Sequence, residues 1–437
     1  MRFTFASFSA RSSFLTFSWA IAAAGGSDPS STESGAEAGR GPVGSSDTVA
    51  GAAGEGGSPR VNEVPAGGAG EPGASTGGTA SDPDGSSAGS LSAATGGKPP
   101  VRQSPPDPGE PVGFATVAGY GLETTTGAGN EAETVAVTSF AEFITAVADD
   151  EPRVVQVSGT IMGDGTAMVD IGSNKTIVGL GTDATIDGFG LDINGWTSVE
   201  NSQFGTDTCG PEHIGAFTEV SNVIVHNLTL MNAPDDSINV QCYSHHIWVH
   251  HNVFHTAYDG SIDIKRGSDL VTVAWNHFIE TEKTMLLGHS ANNGEQDRGY
   301  LRVTYHHNWF DLTATRTPRV RFGYAHVFNN YLDATDYFLG LGIEASIYAE
   351  GNYVAATKTI TQTFTESVDY HLTWTDTNHY DEATITRAND SQTTMIDWLD
   401  ADGTVAFPTE YGYSLDPVES VPEIVQGAAG IVAGAGG

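Results

Sequence analysis

The chain has 437 residues, 39% of them apolar, which is enough for one large domain with additional segments, and its formal charge is −36. So negative a chain argues against nucleic acid or an anionic membrane as a partner and is compatible with a saline habitat. Residues 25–110 hold 11 acids and 4 bases and the first 24 residues two bases, so the remainder keeps 43 acids against 12 bases and the charge belongs to the domain, not to a tail. Eight of those 12 bases nevertheless fall between Lys265 and Arg321: Lys265, Arg266, Lys283, Arg298, Arg302, Arg316, Arg319 and Arg321. A positive island in a negative body points to an anionic ligand bound at one place.

Residues 1–24 carry Arg2 and Arg11, an apolar run from Phe14 to Ile21 and then alanines at 22–24. This reads as a secretory signal peptide with a small-residue cleavage site, and predicts a secreted, extracellular protein. The run is too short to span a bilayer. Residues 25–110 are Gly, Ser, Ala, Pro and Thr with scattered acids, a composition that buries too little apolar surface to order itself, and they read as a disordered linker. The folded domain is expected over 111–437.

The domain opens with a strand predicted over 133–137. Ser139 and Glu142 form a capping box ahead of Phe140, Phe143, Ile144 and Val147 at helical spacing, so a helix is expected over 140–148. Placed this early, it would close the open end of a stack. Strands follow over 153–158, 175–178 and 184–186, with a turn at 179–181. From Asn222 to Asp333 one phrase then recurs: a few β-formers, an Asn, and usually an aromatic two residues on. The Asn positions 227, 252, 276, 308, 330 and 352 are separated by 25, 24, 32, 22 and 22 residues. That period is one strand-bearing coil of a solenoid, with an inserted loop in the 32-residue interval. Repeated Asn residues would hydrogen-bond along the stack, and Phe254, Phe278 and Phe310 would pile face over face. Cys209 and Cys242 flank the first strong repeat; in an exported chain an even count suggests one disulfide between neighbouring coils, the alternative being two buried free thiols. Beyond Asn352 the repeat weakens: 359–386 reads as strand or loop wrapping the outside, and 411–417 and the amphipathic 421–429 as packing back on the coils.

Four motifs resemble those of the secreted pectate lyases: Lys175-Thr176-Ile177-Val178-Gly179-Leu180-Gly181, Asp259-Gly260-Ser261-Ile262-Asp263-Ile264-Lys265, Lys283-Thr284-Met285-Leu286-Leu287-Gly288 and Arg316-Thr317-Pro318-Arg319-Val320-Arg321-Phe322-Gly323. The resemblance covers roughly residues 113–427. It implies an all-β fold, a right-handed single-stranded parallel β-helix with an N-terminal capping helix and irregular loops forming a substrate groove. It also implies calcium-dependent β-elimination of polygalacturonate by a monomer.

In that reaction the C5 proton of a galacturonate unit, α to a carboxylate, is removed, and negative charge builds on that carboxylate, so cations must gather around it. By the resemblance Asp236, Asp259 and Asp263 are the Ca2+ ligands, oxygen donors of the kind a hard cation takes. Asp259 and Asp263 are four apart and would face one side of a strand, with Asp236 one coil earlier. The family's further acid, two residues before Asp236, is replaced here by Pro234, and Asp235 is an imperfect substitute. Lys283 matches the lysine that neutralises the scissile unit's carboxylate, Arg316 the base that takes the C5 proton, and Arg321 an arginine that grips the substrate. A guanidinium is ordinarily protonated, so the role assigned to Arg316 calls for surroundings crowded with positive charge. Arg319 reads equally as a substrate contact or as the partner of a surface acid.

His245, His246, His250, His251, His255, His306 and His307 suggest a zinc site at first sight, but they lie inside the repeat phrase beside the Asn positions and read as packing and turn residues. Three rival functions remain open. A lyase on methyl-esterified pectin would lack the calcium aspartates. A β-helical polygalacturonase, which Asp235-Asp236 superficially suggests, would hydrolyse with paired carboxylates and has no use for Lys283, Arg316 and Arg321. A non-catalytic polysaccharide-binding β-helix would leave all of these residues idle.

Overall fold

The computed structural model describes residues 110–206, 208–381 and 410–433. The secretory signal, nearly all of the linker and the expected strand or loop at 382–386 lie outside the described residues. The described chain is a parallel β-helix, in which each coil contributes short strands to three faces. The first face is one ten-stranded parallel sheet running from Glu133–Val137 through Ser221–His226, His245–His250, Asp269–Ala274 and Arg302–His306 to His371–Trp374. The second and third faces join into one 15-stranded sheet through the long strand Tyr331–Leu341, which pairs with Trp309–Asp311 near its start and with Arg319–Val320 near its end.

Alternation along each short strand decides what enters the core. On the first face Val223, Ile247, Val271, Val303, Ala325 and Ile347 lie in register and point inward, as do Val225, Val249, Val273, Tyr305, Val327 and Ala349. On the second face Leu230, Phe254, Phe278, Phe310, Leu332 and Val354 form the inward column. The expected phenylalanine stack is present, with ring centroids 4.9 Å and 5.3 Å apart and planes within 14° and 5°.

Between the first and second faces the chain turns at one residue per coil in the left-handed conformation: Asn227, His251, Trp275, His307 and Asn329 have φ of 58°, 52°, 57°, 52° and 49°, and Gly351 has 62°. Such φ values strain non-glycine residues, and the next residue repays the strain. Asn252, Asn276, Asn308, Asn330, Asn352 and Asn378 form a continuous ladder in which each side-chain oxygen accepts from the backbone N–H and the side-chain amide of the Asn one coil earlier, at 2.9–3.1 Å. Asn227 is not a rung. Its coil is offset by one residue, so that Leu228 takes the rung position and donates its N–H to Asn252, while Asn227 bonds the carbonyls of Gly179 and Gly181. At the far end Asn378 adds a rung, so 353–380 continues the coils as Tyr353–Thr363, His371–Trp374 and His379–Tyr380 instead of wrapping the outside.

The helix Phe140–Val147 closes the first coil, with Phe143 and Val147 fully buried against the core and Phe189. Segments on either side of the coils cover two faces. Residues 113–128 lie on the first face, where the N–H groups of Phe114, Ala115 and Ala128 donate to Thr304, Thr272 and Thr176, and Tyr411 joins them through Thr304 and His326. The C-terminal helix Val421–Ala428 buries Val421 and Val425 against Tyr331. The third face carries Asp170, Asp192, Asp263 and Arg319 in one outward row.

The histidines do not converge on a metal. His245–His246, His250–His251 and His306–His307 each pair Nδ1 to Nδ1 at 2.8 Å, and His307 reaches Asp416 at 2.9 Å. Burial pushes His226, His245 and His251 down to about 4 and His250 and His306 well below the ordinary histidine value. A histidine with a depressed folded pKa takes up its proton more readily when the chain unfolds. Its contribution to stability is therefore complete above the unfolded value near 6.5 and is lost as pH falls toward the folded one. Buried carboxylates raised by desolvation, Asp170 and Asp297 to about 6, act in the opposite sense over the same interval. The histidine share is therefore read by difference: a His306→Gln variant is expected to lose less melting temperature between pH 7 and pH 5 than the wild type, and an identical pH slope refutes this. Replacing Asn308, fully buried and bonded to two rungs, with Ala removes their partners, and urea denaturation should show a loss of roughly 3 kcal/mol.

Candidate active site

The outward row of the third face runs Asp170, Asp192, Asn239, Asp263, Leu286 and Arg319, in register from coil to coil. The turns that enter these strands stack as regularly. Asp259 N–H donates to Asp235 O at 3.1 Å, Ser237 N–H to Gly260 O at 3.0 Å, Thr284 N–H to Thr315 O at 3.0 Å and Met285 N–H to Arg316 O at 2.6 Å. Backbone pairing alone thus brings Asp235, Asp236, Asp259, Lys283 and Arg316 to one edge of the face, although they span 82 positions of sequence.

Asp259 and Asp263 do not share a strand as their spacing suggested. The strand Ile262–Ile264 is only three residues long, so Asp263 stands on it while Asp259 belongs to the turn before it. Gly260 in that turn makes the close approach possible: a Cβ there would lie 2.9 Å from Asp236 Oδ1 and 3.1 Å from Lys283 O. The tightest acidic group is Asp235, Asp236 and Asp259, each offering an oxygen within 4.8 Å of the others. Asp235, which follows Pro234, therefore does stand in the cluster. Asp263 instead leans on Lys265, whose Nζ lies 3.6 Å from it and 3.5 Å from Asp236.

The electrostatics divide these carboxylates. Asp236 is 1% exposed, and among the described residues neither of its oxygens has a hydrogen-bond partner. Burial, with Asp263 adding to it, holds its pKa well above the ordinary carboxylate value, against the pull of Lys265. Burial likewise raises Asp263, opposed by Lys265 and Arg316. Burial also works to raise Asp259, but an ion pair with Lys283, together with Arg316 and Lys265, outweighs it and the pKa is lowered. Oxygen donors alone, one of them buried without a hydrogen bond, fit a hard divalent cation.

Arg316 has φ of 61°, a strained conformation for a non-glycine residue, just before the cis Thr317–Pro318 bond. Among the described residues its guanidinium forms no ion pair, and its charge acts on Asp259 and Asp263. Arg319 and Arg321 are engaged. Glu366 Oε1 accepts from Arg319 Nη2 at 2.5 Å and from Arg321 Nη2 and Nε at 3.0 Å and 3.2 Å. Burial, then Arg319, pushes the Arg321 guanidinium below its ordinary value despite Glu366.

A disulfide joins Cys209 to Cys242 beside this face, with Cα atoms 5.8 Å apart. Next to it a cavity of about 400 Å³ is lined by Asp170, Asp192, Trp196, Asn239, Lys265 and Arg266 among others, and so extends the outward row away from the arginines. The helix Ser198–Phe204, which borders the cavity, was not foreseen; its capping box, Thr197 with Glu200, was the available signal, but no apolar periodicity followed it. The extra residues of the 32-residue interval lie on the opposite side of a strand from Lys283. They leave the far end of the strand Met285–Leu287 as a turn containing Gly294–Asp297, where Gln296 donates to Cys209 O. Lys265, noted only as one of the clustered bases and within a motif, was given no role in the site, and Glu366 was not singled out. Lys265 shares a sequence parity with Asp263 that places both on one side, whereas nothing local marks a glutamate 45 residues after Arg321.

Removing the cation that faces two buried carboxylates leaves them uncompensated. Lys265→Met is expected to lower stability by roughly 3 kcal/mol in chelator, with much of the loss recovered on adding calcium; an unchanged urea midpoint in chelator contradicts this role for Lys265.

A family model described as pectate lyase matches residues 103–434. Pectate lyase E of Dickeya chrysanthemi is 33% identical over 291 residues, 55% of this chain and 66% of that protein. Pectate lyase A of the same organism is 31% identical over 287 residues, 55% of this chain and 69% of that protein. A solved pectate lyase of a Bacillus species, in complex with trigalacturonate, superposes with a TM-score of 0.56 at 22% identity, covering 74% of this chain and 99% of that one. At that identity the likeness speaks for the fold.

Proposed function

The chain belongs to the pectate lyase family, and from that premise we propose that it is a secreted, calcium-dependent enzyme that cleaves α-1,4-polygalacturonate by β-elimination to 4,5-unsaturated oligogalacturonates. The observation that carries this reading is the edge of the third face where a buried carboxylate without a hydrogen bond, Asp236, an ion-paired lysine, Lys283, and an arginine without an ion pair, Arg316, meet.

Elimination asks for charge stabilisation at one carboxylate and a base at the neighbouring carbon. The uronate carboxylate is held first by Lys283, which exchanges its bond to Asp259 for one to the substrate, and by Arg321 from the arginine side. Asp236, Asp259 and Asp263, with Asp235 beside them, would hold calcium, which would supply further positive charge to the same carboxylate. Arg316 is the group that takes the C5 proton. The freed electron pair becomes the C4–C5 double bond as the C4–O4 bond breaks, and the departing oxygen takes a proton from water. Arg319, clamped by Glu366 and lying over Phe364, shapes the arginine end of the groove. The acidic body of the protein repels polyanions elsewhere and leaves this island as the place where one can dock.

Incubation with polygalacturonate and calcium should give an ultraviolet-absorbing unsaturated product that a chelator abolishes. Reducing ends without that absorbance would mean hydrolysis, and neither signal would leave a binding module. Arg316→Ala should lower kcat by about 10³-fold or more while the protein stays folded and still binds calcium; substantial remaining elimination removes Arg316 from the role of base.

A further inference from the structure

Three guanidiniums crowd the end of the third face beyond the carboxylate cluster, and they are not equivalent. Arg316 has no ion pair among the described residues, whereas Arg319 and Arg321 share a single oxygen of Glu366. One carboxylate bridging two guanidinium edges is how a ligand carboxylate would be held there. Glu366 comes from a separate turn, 364–368, that is anchored without its help: Ser367 Oγ accepts from Phe364 N–H and donates to Leu341 O, and Glu344 N–H donates to Val368 O.

Each arginine also has an orienting contact independent of Glu366. Arg321 Nη1 donates to Gly288 O at 2.9 Å, and Arg319 lies over the ring of Phe364 at 3.6 Å. The two forks would therefore keep their aim if the glutamate side chain swung away. Without any anion between them they would repel each other. Glu366 is thus not required to place the arginines, but it does fill the space that their shared edge creates. Arg319 stands two coils beyond Asp263 in the same outward row, about 10 Å along the face at one strand spacing per coil.

We propose that Glu366 is a built-in competitor of the substrate, an intramolecular carboxylate seated in a uronate subsite made by Arg319 and Arg321, which a galacturonate unit of the bound chain must displace. The inference rests on the polygalacturonate reading above. Exchanging one carboxylate for another yields little net affinity, so with Glu366 present this subsite discriminates weakly. With the glutamate neutralised the same two guanidiniums would grip a uronate in full.

The test compares the calcium-loaded wild type with Glu366→Gln on polygalacturonate, and repeats the comparison in an Arg316→Ala background, where tetragalacturonate binding is measured by calorimetry without turnover. KM should fall about tenfold with kcat unchanged or lowered by slower release, and tetragalacturonate should bind about tenfold more tightly, equivalent to ~1.4 kcal/mol. Glu366→Asp, which keeps the charge, should stay near the wild type. If Glu366 instead positioned the arginines, Glu366→Gln would raise KM and weaken tetragalacturonate binding, and that result overturns the proposal, as does an unchanged KM. Unsaturated product from both proteins with equal KM counts against Glu366 alone. No product from either overturns the elimination reading and this inference with it.

Discussion

Everything in this molecule depends on keeping ten or so coils in register while each turns through a conformation that most side chains resist. The left-handed residue recurs at one place in every coil from Asn227 to Gly351, and from His251 onward it is followed by the asparagine whose amide ties the turn to the next. The ladder is buried, so each of its hydrogen bonds lies in a low-dielectric setting where losing a partner leaves a polar group without compensation. Because every rung is both donor and acceptor, registration is transmitted from one coil to the next. The valine, isoleucine and phenylalanine columns beneath follow from that registration.

The same register places the chemistry. Strands of two to four residues on the third face leave little room for a site within any one strand. The site is written across turns, one or two residues per coil, and Asp235, Asp236, Asp259, Lys283 and Arg316 meet because their turns stack. Within this acidic protein the positive charges are nearly all matched locally: Lys283 by Asp259, Lys265 by Asp236 and Asp263, Arg319 and Arg321 by Glu366, Arg302 by Asp269. The expected crowd of cations around Arg316 is thus neutralised side by side, and an incoming polyanion works by exchanging partners.

How much of this was legible in the sequence depended on whether the information was periodic. The solenoid, the phenylalanine stack and the capping helix were readable because their signals repeat or sit within a few residues, as Ser139 and Glu142 do. The ladder was misplaced at its start because Asn227 and Asn252 look alike in sequence, while the strand register makes Leu228 the partner of Asn252. It was cut short at its end because the strand His371–Trp374 is separated from Asn378 by the turn residues 375–377, so no run of β-formers leads directly into that Asn. Asp259 and Asp263 were assigned to one strand because spacing cannot show where a three-residue strand begins. Glu366 had no local mark at all, since its partners come from another coil.

Residues 113–128 and 411–416, on either side of the coils, meet on one face, and this alters what kind of object the stack is. An open array of coils behaves as a one-dimensional chain that frays from its tips, each unit answering only to its neighbours. Here Phe114 and Ala115 fasten the start of the domain to Thr304 and Thr272, in the middle coils, and Tyr411 from beyond the last coil lands on the same threonine, Thr304. The ends are thereby strapped lengthwise to the centre. Fraying from either tip must also undo contacts in the middle, so a linear array acquires the cooperativity of a closed one.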